Sequence, residues 1–339
     1  MNIAIFAYSK QGCATARNIA SYFAGETLRK FTVARLEQSD FENIPRPSSA
    51  FYGEQFSWAN AMIFISSCGV AVREIAPHIQ DKRTDPAVLV IDELGSFIIP
   101  LLSGHIGGAN DLAKALAAAL NATAVITTAT DINNRFSVDA WAVKKGYVIG
   151  NMKTAKAVSA AILEGNVPIS SDFTVAAALP NGLIHGEAGK IGIYVGYQKK
   201  AIYGQTLHIF PPVLHVGIGC RKGASAQTIG QAVAAVLEEH HLDRRSVKCV
   251  ASIDLKANEP GLTEFAKKNN WELHCYSAEQ LMELRGEYTA SSFVQRIAGV
   301  DTVCERAAMM GADHLIVKKT AINGVTVAVA AENMEVSFA

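Results

Sequence analysis

Short apolar runs that alternate with segments of helical spacing constrain this chain more than any other feature. Residues 3–8, 61–66 and 214–218 have the pattern of buried strands, and residues 12–24 and 226–239 repeat apolar side chains at helical intervals. Strands that alternate with helices favour α/β layers, because the crossover helices cover both faces of a parallel sheet. The sequence therefore predicts an α/β fold with mainly parallel sheets.

The same alternation divides the chain into segments. At 339 residues the chain is long enough for two or three domains of roughly 100–200 residues each. The rhythm weakens between residues 146 and 212, where glycines punctuate short β-like runs and a proline pair, Pro211-Pro212, follows. A proline pair cannot sit within a central strand. We expect an N-terminal α/β domain at residues 1–145, a smaller irregular central segment at 146–212, and a C-terminal α/β domain at 213–339.

Charge and cysteine usage exclude several classes of partner. Lys+Arg and Asp+Glu both total 31, so no basic excess is available to neutralise a nucleic-acid backbone. No run approaches the ~20 apolar residues of a membrane span, and the first residues lack a basic signal region. The six cysteines are scattered without a CxxC pair, which suggests neither a zinc site nor a disulfide framework. We expect a cytoplasmic protein without nucleic-acid, membrane or protein-bound metal partners.

The strongest candidate site is the run from Ser103 to Asp111, SGHIGGAND, which leaves a predicted strand and opens a predicted helix. Its glycines let a ligand approach the backbone, and a helix N-terminus offers free amides to a carboxylate or an oxyanion. Ser103 and His105 bring a hydroxyl and a titratable imidazole to the same segment. The alternative is a tight turn in which Asn110 or Asp111 caps the helix. The next strand ends in Thr-Thr-Ala-Thr-Asp at residues 127–131, which could contact a ligand or form a plain turn.

A second candidate is the GIGCRKG run at residues 217–223. It differs from a dinucleotide-binding fingerprint because Lys222 stands where the third glycine belongs. Arg221 and Lys222 are better suited to carboxylates than to a pyrophosphate, and Cys220 is more simply a small packing residue than a nucleophile. Asp254 and Lys256 follow the next strand and could face the same cleft. The alternative is that these charges pair with each other and with Glu259.

Taken together, these segments resemble the CbiG family, the cobalt-precorrin-5A hydrolases of anaerobic cobalamin biosynthesis. The resemblance spans nearly the whole chain and is far more specific than any one motif. The segments that carry it are residues 72–77, 81–88, 101–110 (LLSGHIGGAN), 125–131 (VITTATD), 217–223 (GIGCRKG), 252–256 (SIDLK), 276–279 and 299–307 (GVDTVCERA).

The resemblance implies a reaction and a substrate. Family members open the δ-lactone of cobalt-precorrin-5A and expel the C20 bridge as acetaldehyde. The expected partner is the cobalt-tetrapyrrole substrate, with neighbouring pathway methyltransferases as further candidates. No cofactor is expected, because the cobalt is carried within the substrate and the macrocycle can accept the electrons of the carbon–carbon cleavage.

This chemistry requires a base for the attacking water and donors for the oxyanion, and the 103–111 segment meets both needs best. We predict that three residues act in catalysis: His105 as the base, Ser103 and Asp131. The residues predicted to bind substrate are Gly104, Gly107, Gly108, Asn110, Arg73, Gly219, Arg221, Lys222, Asp254, Lys256 and Glu305.

Two other functions are compatible with the residues. One is a protein of the same pathway that binds or carries the corrinoid precursor without catalysis. The other is a transferase that uses an S-adenosyl donor, although the two cations of residues 217–223 stand where a cofactor pocket favours small residues. Release of acetaldehyde from the substrate separates the hydrolase from both.

Overall fold

The computed structural model describes residues 1–81, 84–289 and 302–338. The chain forms two compact units, Met1–Ala140 and Trp141–Ala339. No helix within the described ranges is long and apolar enough to cross a membrane.

The first unit is built from one sheet and the helices on its two faces. Its strands are β1 (Asn2–Ala7), β2 (Thr27–Thr32), β3 (Glu42–Asn43), β4 (Ala61–Ile65), β5 (Ala87–Ile91), β6 (Phe97–Leu102) and β7 (Thr123–Ala124). Its helices are α1 (Lys10–Tyr22), α2 (Ser49–Trp58), α3 (Cys68–Ile75), α4 (Ala109–Leu120), α5 (Ala129–Ile132) and α6 (Val138–Lys144), the last of which contains the division between the units.

The first sheet has the strand order β3-β2-β1-β4-β5-β6-β7, and its central strands β1, β4 and β5 are buried on both faces. Side chains of β1 alternate between two cores, with Ile3 and Ile5 against α1 and α4, and Ala4 and Phe6 against α2 and α3. This alternation follows from the two-residue period of a strand, which sends successive side chains to opposite faces. The unit is therefore a three-layer α/β structure.

Strand β6 reverses the direction of this sheet. β1 to β5 are parallel, but β6 is antiparallel to β5, with Val88 opposite Leu102 and Ile91 opposite Ile98. We call the edge at which β1 to β5 end the carboxyl edge and the edge at which they begin the amino edge. The segment after β6 thus lies at the amino edge, whereas segments after β1, β2 and β4 lie at the carboxyl edge.

The second unit contains two larger sheets and one short ladder. Its strands are β8 (Val148–Ile149), β9 (Val167–Ser171), β10 (Thr174–Val175), β11 (Leu183–His185), β12 (Ile191–Val195), β13 (Gln205–Phe210), β14 (Leu214–Cys220), β15 (Val247–Ile253), β16 (Glu272–Tyr276), β17 (His314–Ile322), β18 (Val325–Ala331) and β19 (Glu335–Val336). Its helices are α7 (Met152–Glu164), α8 (Ala226–Glu239), α9 (Pro260–Asn269), α10 (Ala278–Glu283) and α11 (Val303–Met309).

The central segment is more regular than the sequence suggests. Residues 148–210 form a five-stranded sheet of order β11-β9-β12-β13-β8, and they belong to the same compact unit as the C-terminal sheet. The segment expected to be irregular therefore carries a regular sheet, and the domain boundary expected at Pro211-Pro212 stays a prediction. Its glycines have a packing reason, since a side chain at Gly192 in β12 would collide with the ring of Tyr203.

The C-terminal sheet has the order β16-β15-β14-β18-β17. α8 and α9 cover one face, and α11 covers the other through small residues such as Cys304 and Ala308. The close approach of α11 depends on Gly217 in β14, because a side chain there would meet the Cys304 carbonyl oxygen. The predicted α/β class with mainly parallel sheets is confirmed, although this sheet mixes parallel and antiparallel pairs.

Candidate functional site

The segment between β6 and α4 is a tight loop held by its own residues. Ser103 has a left-handed backbone with φ of 57°, and its Oγ donates a hydrogen bond to the Asp85 carbonyl oxygen at 3.0 Å. Gly107 lies so close to Ser103 that a Cβ at position 107 would stand 2.9 Å from the Ser103 carbonyl oxygen. Ser103 therefore anchors the loop to the start of β5, and its hydroxyl is already engaged.

The amides at the start of α4 are also engaged within the loop. Gly108 N–H donates to the His105 carbonyl, Ala109 N–H to that of Ser103, and Asn110 N–H to that of Gly104, at 2.9–3.2 Å. In the parts of the chain that the structure describes, the Gly107 amide has no acceptor. Of the neighbouring glycines 107 and 108, Gly107 is thus the one whose amide is free for a ligand.

His105 projects from this loop between two carboxylates. Its Nε2 lies 3.0 Å from Asp131 Oδ2 and 3.2 Å from Thr130 Oγ1. Its Nδ1 lies 3.2 Å from Ser137 Oγ and 3.6 Å from Asp139 Oδ1, and Ser137 itself donates to Asp139. In either tautomer one ring nitrogen can donate to a carboxylate while the other is available to take a proton.

The carboxylates shift the protonation of the imidazole. Asp139 and, more weakly, Asp131 raise the pKa of His105 above its usual range, and partial burial opposes this only in part. For Asp131, partial burial favours the neutral acid, but hydrogen bonds from Lys114, His105 and Asn110 outweigh it and lower its pKa. Asp131 is therefore an anion that orients the imidazole.

The His105 cluster borders a small polar cavity of about 120 Å³ at the amino edge. Arg135 lines it, and no carboxylate of the described residues lies within ion-pair distance of its guanidinium. Asn110 closes one side, with its Nδ2 donating to Thr128 Oγ1 and to Asp131 Oδ2 at 2.9 Å each. The cavity is large enough for a water and a small part of a substrate.

Sequence reasoning found His105, Asp131 and Asn110 in this cluster but missed the residues that complete it. Ser137, Asp139, Arg135 and Lys114 were not expected there. They carry no glycine-rich signature, and Asp139 is separated from His105 in the sequence by α4, β7, α5 and the start of α6. A Ser-x-Asp pattern at the start of a helix was the one local signal for Ser137 and Asp139.

Arg73 does not join this cluster. It lies on α3, which follows β4, and its Nη1 donates to the Gly69 carbonyl at 3.1 Å in the first turn of that helix. This places its guanidinium toward the carboxyl edge, while His105 is at the amino edge. The reversal at β6 moves the 103–111 segment to the other edge, so Arg73 and His105 lie at opposite edges of the sheet.

The predicted C-terminal residues do share an edge, since β14 and β15 are parallel neighbours. Lys256 forms an ion pair with Glu259, with its Nζ 3.0 Å from Oε2. The other carboxylate oxygen, Oε1, accepts a hydrogen bond from the Gly223 amide at 2.7 Å. The Gly223 hydrogen bond and then Lys256 hold the pKa of Glu259 below its usual range. Asp254, Arg221 and Lys222 are exposed.

Gly219 and Glu305, which were also predicted to bind substrate, make packing contacts and hydrogen bonds within the protein. Gly219 accepts a hydrogen bond from Thr326 Oγ1, and a side chain there would meet the same hydroxyl. Glu305 is fully buried, and its carboxylate accepts from Thr289 N–H, Thr289 Oγ1 and Lys319 N–H at 2.6–2.8 Å. These contacts hold α11 in place and leave Glu305 little capacity for a ligand.

The first residues of the 299–307 motif, 299–301, lie outside the described residues, as do Lys82 and Arg83 of the 81–88 motif.

The α/β scaffold thus carries a histidine between two carboxylates beside a polar cavity, an arrangement that can supply a general acid or base to an enzyme. Two family models match the chain: Cobalamin synthesis G N-terminal at residues 50–131, and Cobalamin synthesis G C-terminus at residues 214–330. The His105 loop and Asp131 fall within the first match, and the GIGCRKG and SIDLK motifs fall within the second.

Two curated relatives extend over almost the whole chain. A cobalt-precorrin-5A hydrolase of Priestia megaterium is 33% identical and covers 96% of this chain and 94% of its own length. A cobalt-precorrin-5A hydrolase of Salmonella typhimurium strain LT2 is 31% identical and covers 96% of each chain. A solved structure of CobE, from the cobalamin biosynthetic pathway, is 29% identical over 35% of this chain and 91% of its own, with a TM-score of 0.33. This chain belongs to the cobalt-precorrin-5A hydrolase (CbiG) family, which confirms the resemblance.

Proposed function

We propose that the protein hydrolyses the δ-lactone of cobalt-precorrin-5A at the His105 cluster, with loss of the C20 bridge as acetaldehyde, to give cobalt-precorrin-5B. The observation that carries this proposal is the imidazole of His105 held between Asp131 and Asp139 beside a polar cavity, in a chain of this family. Lactone opening needs a base at that kind of position.

His105 acts as the base in this proposal. Water attacks the lactone carbonyl carbon while one ring nitrogen takes its proton, and the carboxylate on the other nitrogen stabilises the resulting imidazolium. The Gly107 amide, on the same loop as His105 but outside the lining of the cavity, is the donor proposed for the oxyanion that forms on the carbonyl oxygen. Arg135 is the cation proposed to bind the carboxylate that the opened lactone leaves.

The size of the cavity limits what it can hold. Pockets that enclose whole drug-sized ligands are roughly 300–1,000 Å³, whereas this one is about 120 Å³. We therefore propose that only the lactone arm enters it. Substrate binding by the exposed cations Arg73, Arg221 and Lys222 stays a prediction. The cobalt and macrocycle of the substrate supply the electron sink for the carbon–carbon cleavage, so the proposal includes no separate cofactor.

The test is anaerobic incubation of the full-length protein with cobalt-precorrin-5A, followed by an acetaldehyde assay. We expect His105→Asn to lower turnover by about 10²–10⁴-fold with substrate binding largely intact, as for loss of a positioned base. His185→Asn, which changes an exposed histidine on β11, is the matched control and should behave like the wild type.

The other outcomes are equally informative. A spectral shift of the substrate without acetaldehyde would identify a carrier and reject the hydrolase. Turnover that survives in His105→Asn would remove this residue from the mechanism, and the reaction would then have to be sought elsewhere in the chain.

A further inference from the structure

A cavity of about 710 Å³ lies at the carboxyl edge of the first sheet, the edge away from His105. Residues just after β1, β2 and β3 line it, together with the start of α2 and one side of α3. Its volume falls in the range of sites that enclose whole small molecules, roughly 300–1,000 Å³.

The strand order puts this cavity where ligands usually bind in such sheets. The chain proceeds outward from β1 to β2 and β3, and then returns to place β4 on the other side of β1. A sheet of this kind has a crevice at the carboxyl edge where the order reverses, and ligands bind there. Tyr8 follows β1 at this reversal, and Glu74 reaches the cavity from the helix that follows β4.

Two phenols provide a donor inside the cavity. Tyr8 Oη and Tyr52 Oη are 2.6 Å apart, and Tyr52 is only 1% exposed. One hydroxyl must donate to the other, and the second hydroxyl proton then has no acceptor among the residues that the structure describes. Burial raises the pKa of both phenols, that of Tyr52 to about 12, so this proton is present at all physiological pH values.

Two guanidinium groups give the cavity its charge. Arg35 and Arg46 are exposed at its rim, and no acidic side chain in the described ranges lies within ion-pair distance of either. Glu74 is the one acid in the lining, and Ser48 Oγ approaches its carboxylate at 3.4 Å. Asn43 is a further polar residue of the lining, and Val33, Ile44 and Val70 give the cavity apolar walls.

The start of α1 argues against a nucleotide phosphate as the ligand. In dinucleotide sites the loop after the first strand is glycine-rich and offers free helix amides. Here that loop reads Tyr-Ser-Lys-Gln-Gly, with a single glycine, and Ser9 caps the helix: its Oγ accepts from Gly12 N–H and its carbonyl from Cys13 N–H, both at 3.0 Å. Arginines and a phenol in an apolar cavity instead suit planar carboxylates.

We propose that the carboxyl-edge cavity is a second ligand site, separate from His105, for a flat apolar molecule that carries carboxylates. That the flat ring is a carboxylated tetrapyrrole rests on the proposed function, because the proposed substrate is one. Arg35 and Arg46 bind its carboxylates, the free phenolic proton is donated to an acceptor on it, and the apolar walls contact its ring.

The experiment uses uroporphyrin III, a tetrapyrrole with eight carboxylates, as the probe and the full-length protein as the host. Its fluorescence reports binding without any turnover. We expect Arg35→Gln combined with Arg46→Gln to raise the dissociation constant at least tenfold, and Tyr8→Phe to raise it severalfold. The matched control is Arg17→Gln, which changes an exposed arginine of the same unit that pairs with Asp40, and it should leave the constant within about twofold.

Four results would overturn the proposal. The first two are no binding by the wild type and equal binding by the double variant. The third is displacement of uroporphyrin by FMN, which would point to a phosphate site, and the fourth is loss of binding in His105→Asn, which would place the probe at the amino edge. Because binding and acetaldehyde release are measured separately, failure of this site leaves the proposed hydrolysis standing, and failure of the hydrolysis leaves the measured binding site standing.

Discussion

The two carboxylates beside His105 set the pH range in which this residue can act as a base. A base must be neutral, and Asp139 followed by Asp131 favours the protonated imidazole. In the pH profile of kcat/KM, the midpoint of the acidic limb should therefore lie above pH ~6.5, which is the pKa of an unperturbed histidine. Replacing Asp139 removes the main cause of the shift.

The resulting prediction concerns Asp139→Asn. We expect the acidic limb to move down toward ~6.5, because the imidazole loses its main stabilising anion. The measurement is the pH profile of kcat/KM for acetaldehyde release. Asp111→Asn, an exposed acid that lines the same cavity without contacting His105, is the control and should shift the limb less. If the acidic limb of kcat/KM is unchanged in Asp139→Asn, a group other than His105 is responsible for it.

The same shift affects stability with a definite sign. A raised folded-state pKa stabilises the protein fully below the unfolded value of ~6.5, and this contribution is lost as the pH rises through the folded value. His105→Asn should therefore cost more unfolding free energy at about pH 6 than at about pH 9. Urea unfolding of both proteins at the two pH values provides the check, and equal differences would contradict it.

At the scale of elements, the packing of α11 on β14 explains the first glycine of the GIGCRKG motif, whose role the sequence alone does not decide. The GIGCRKG run has glycine at 217 because the helix backbone approaches the strand there, with Ala308 N 2.7 Å from the position of an added Cβ. This is the role of a packing glycine, distinct from that of a ligand loop. The exposed Arg221 and Lys222 are the part of the motif that faces solvent.

Gly217→Ala should separate α11 from β14 and lower the free energy of unfolding by about 1–3 kcal/mol, the usual cost of overpacking. Gly230→Ala is the matched control, because its Cβ would meet Phe265 at an ordinary 3.5 Å in the interior of α8. That change should be neutral or stabilising by up to ~1 kcal/mol through helix propensity. Urea unfolding measures both, and equal effects would show that α11 can shift to accept a methyl group.

The elements differ in how far the sequence predicts them. The bounds of α8 match the helix predicted at 226–239, which carries a clear apolar pattern. Residues 31–36 also have the apolar pattern of a strand, but β2 is at Thr27–Thr32, where four of the six side chains are not fully buried. No pattern in the sequence indicates α2 and α3. Residues 88–91 and 97–102 have the pattern of a hairpin, which β5 and β6 confirm, but only the strand order shows that it moves the His105 loop to the amino edge.

At the scale of the whole molecule, apolar cores stabilise the chain without cross-links. All six cysteines lie in described parts of the chain and are free thiols, and Cys13, Cys249 and Cys304 are buried. Burial raises the pKa of the Cys249 thiol to about 12, and it also raises those of Cys220 and Cys304. A raised pKa lowers the thiolate fraction, which supports the packing interpretation of Cys220.

We expect the folded protein to react with a thiol reagent at fewer than six sites, and the unfolded protein at all six, since unfolding exposes every sulfur. A reductant should leave the Tm unchanged. The measurement is titration with Ellman's reagent with and without denaturant, beside a thermal melt. Fewer than six reactive thiols in denaturant without reductant would reveal a disulfide and contradict the assignment of all six cysteines as free thiols.

The reversed strand β6 also has a kinetic consequence. The carboxyl-edge cavity and the His105 cavity lie at opposite ends of one sheet, about 15 Å apart along a five-residue strand. A compound that fills the larger cavity therefore cannot collide with a lactone at His105, and any inhibition it causes should be noncompetitive. A lactone mimic at His105 should instead compete with the substrate, so two inhibitors of this protein could act at once.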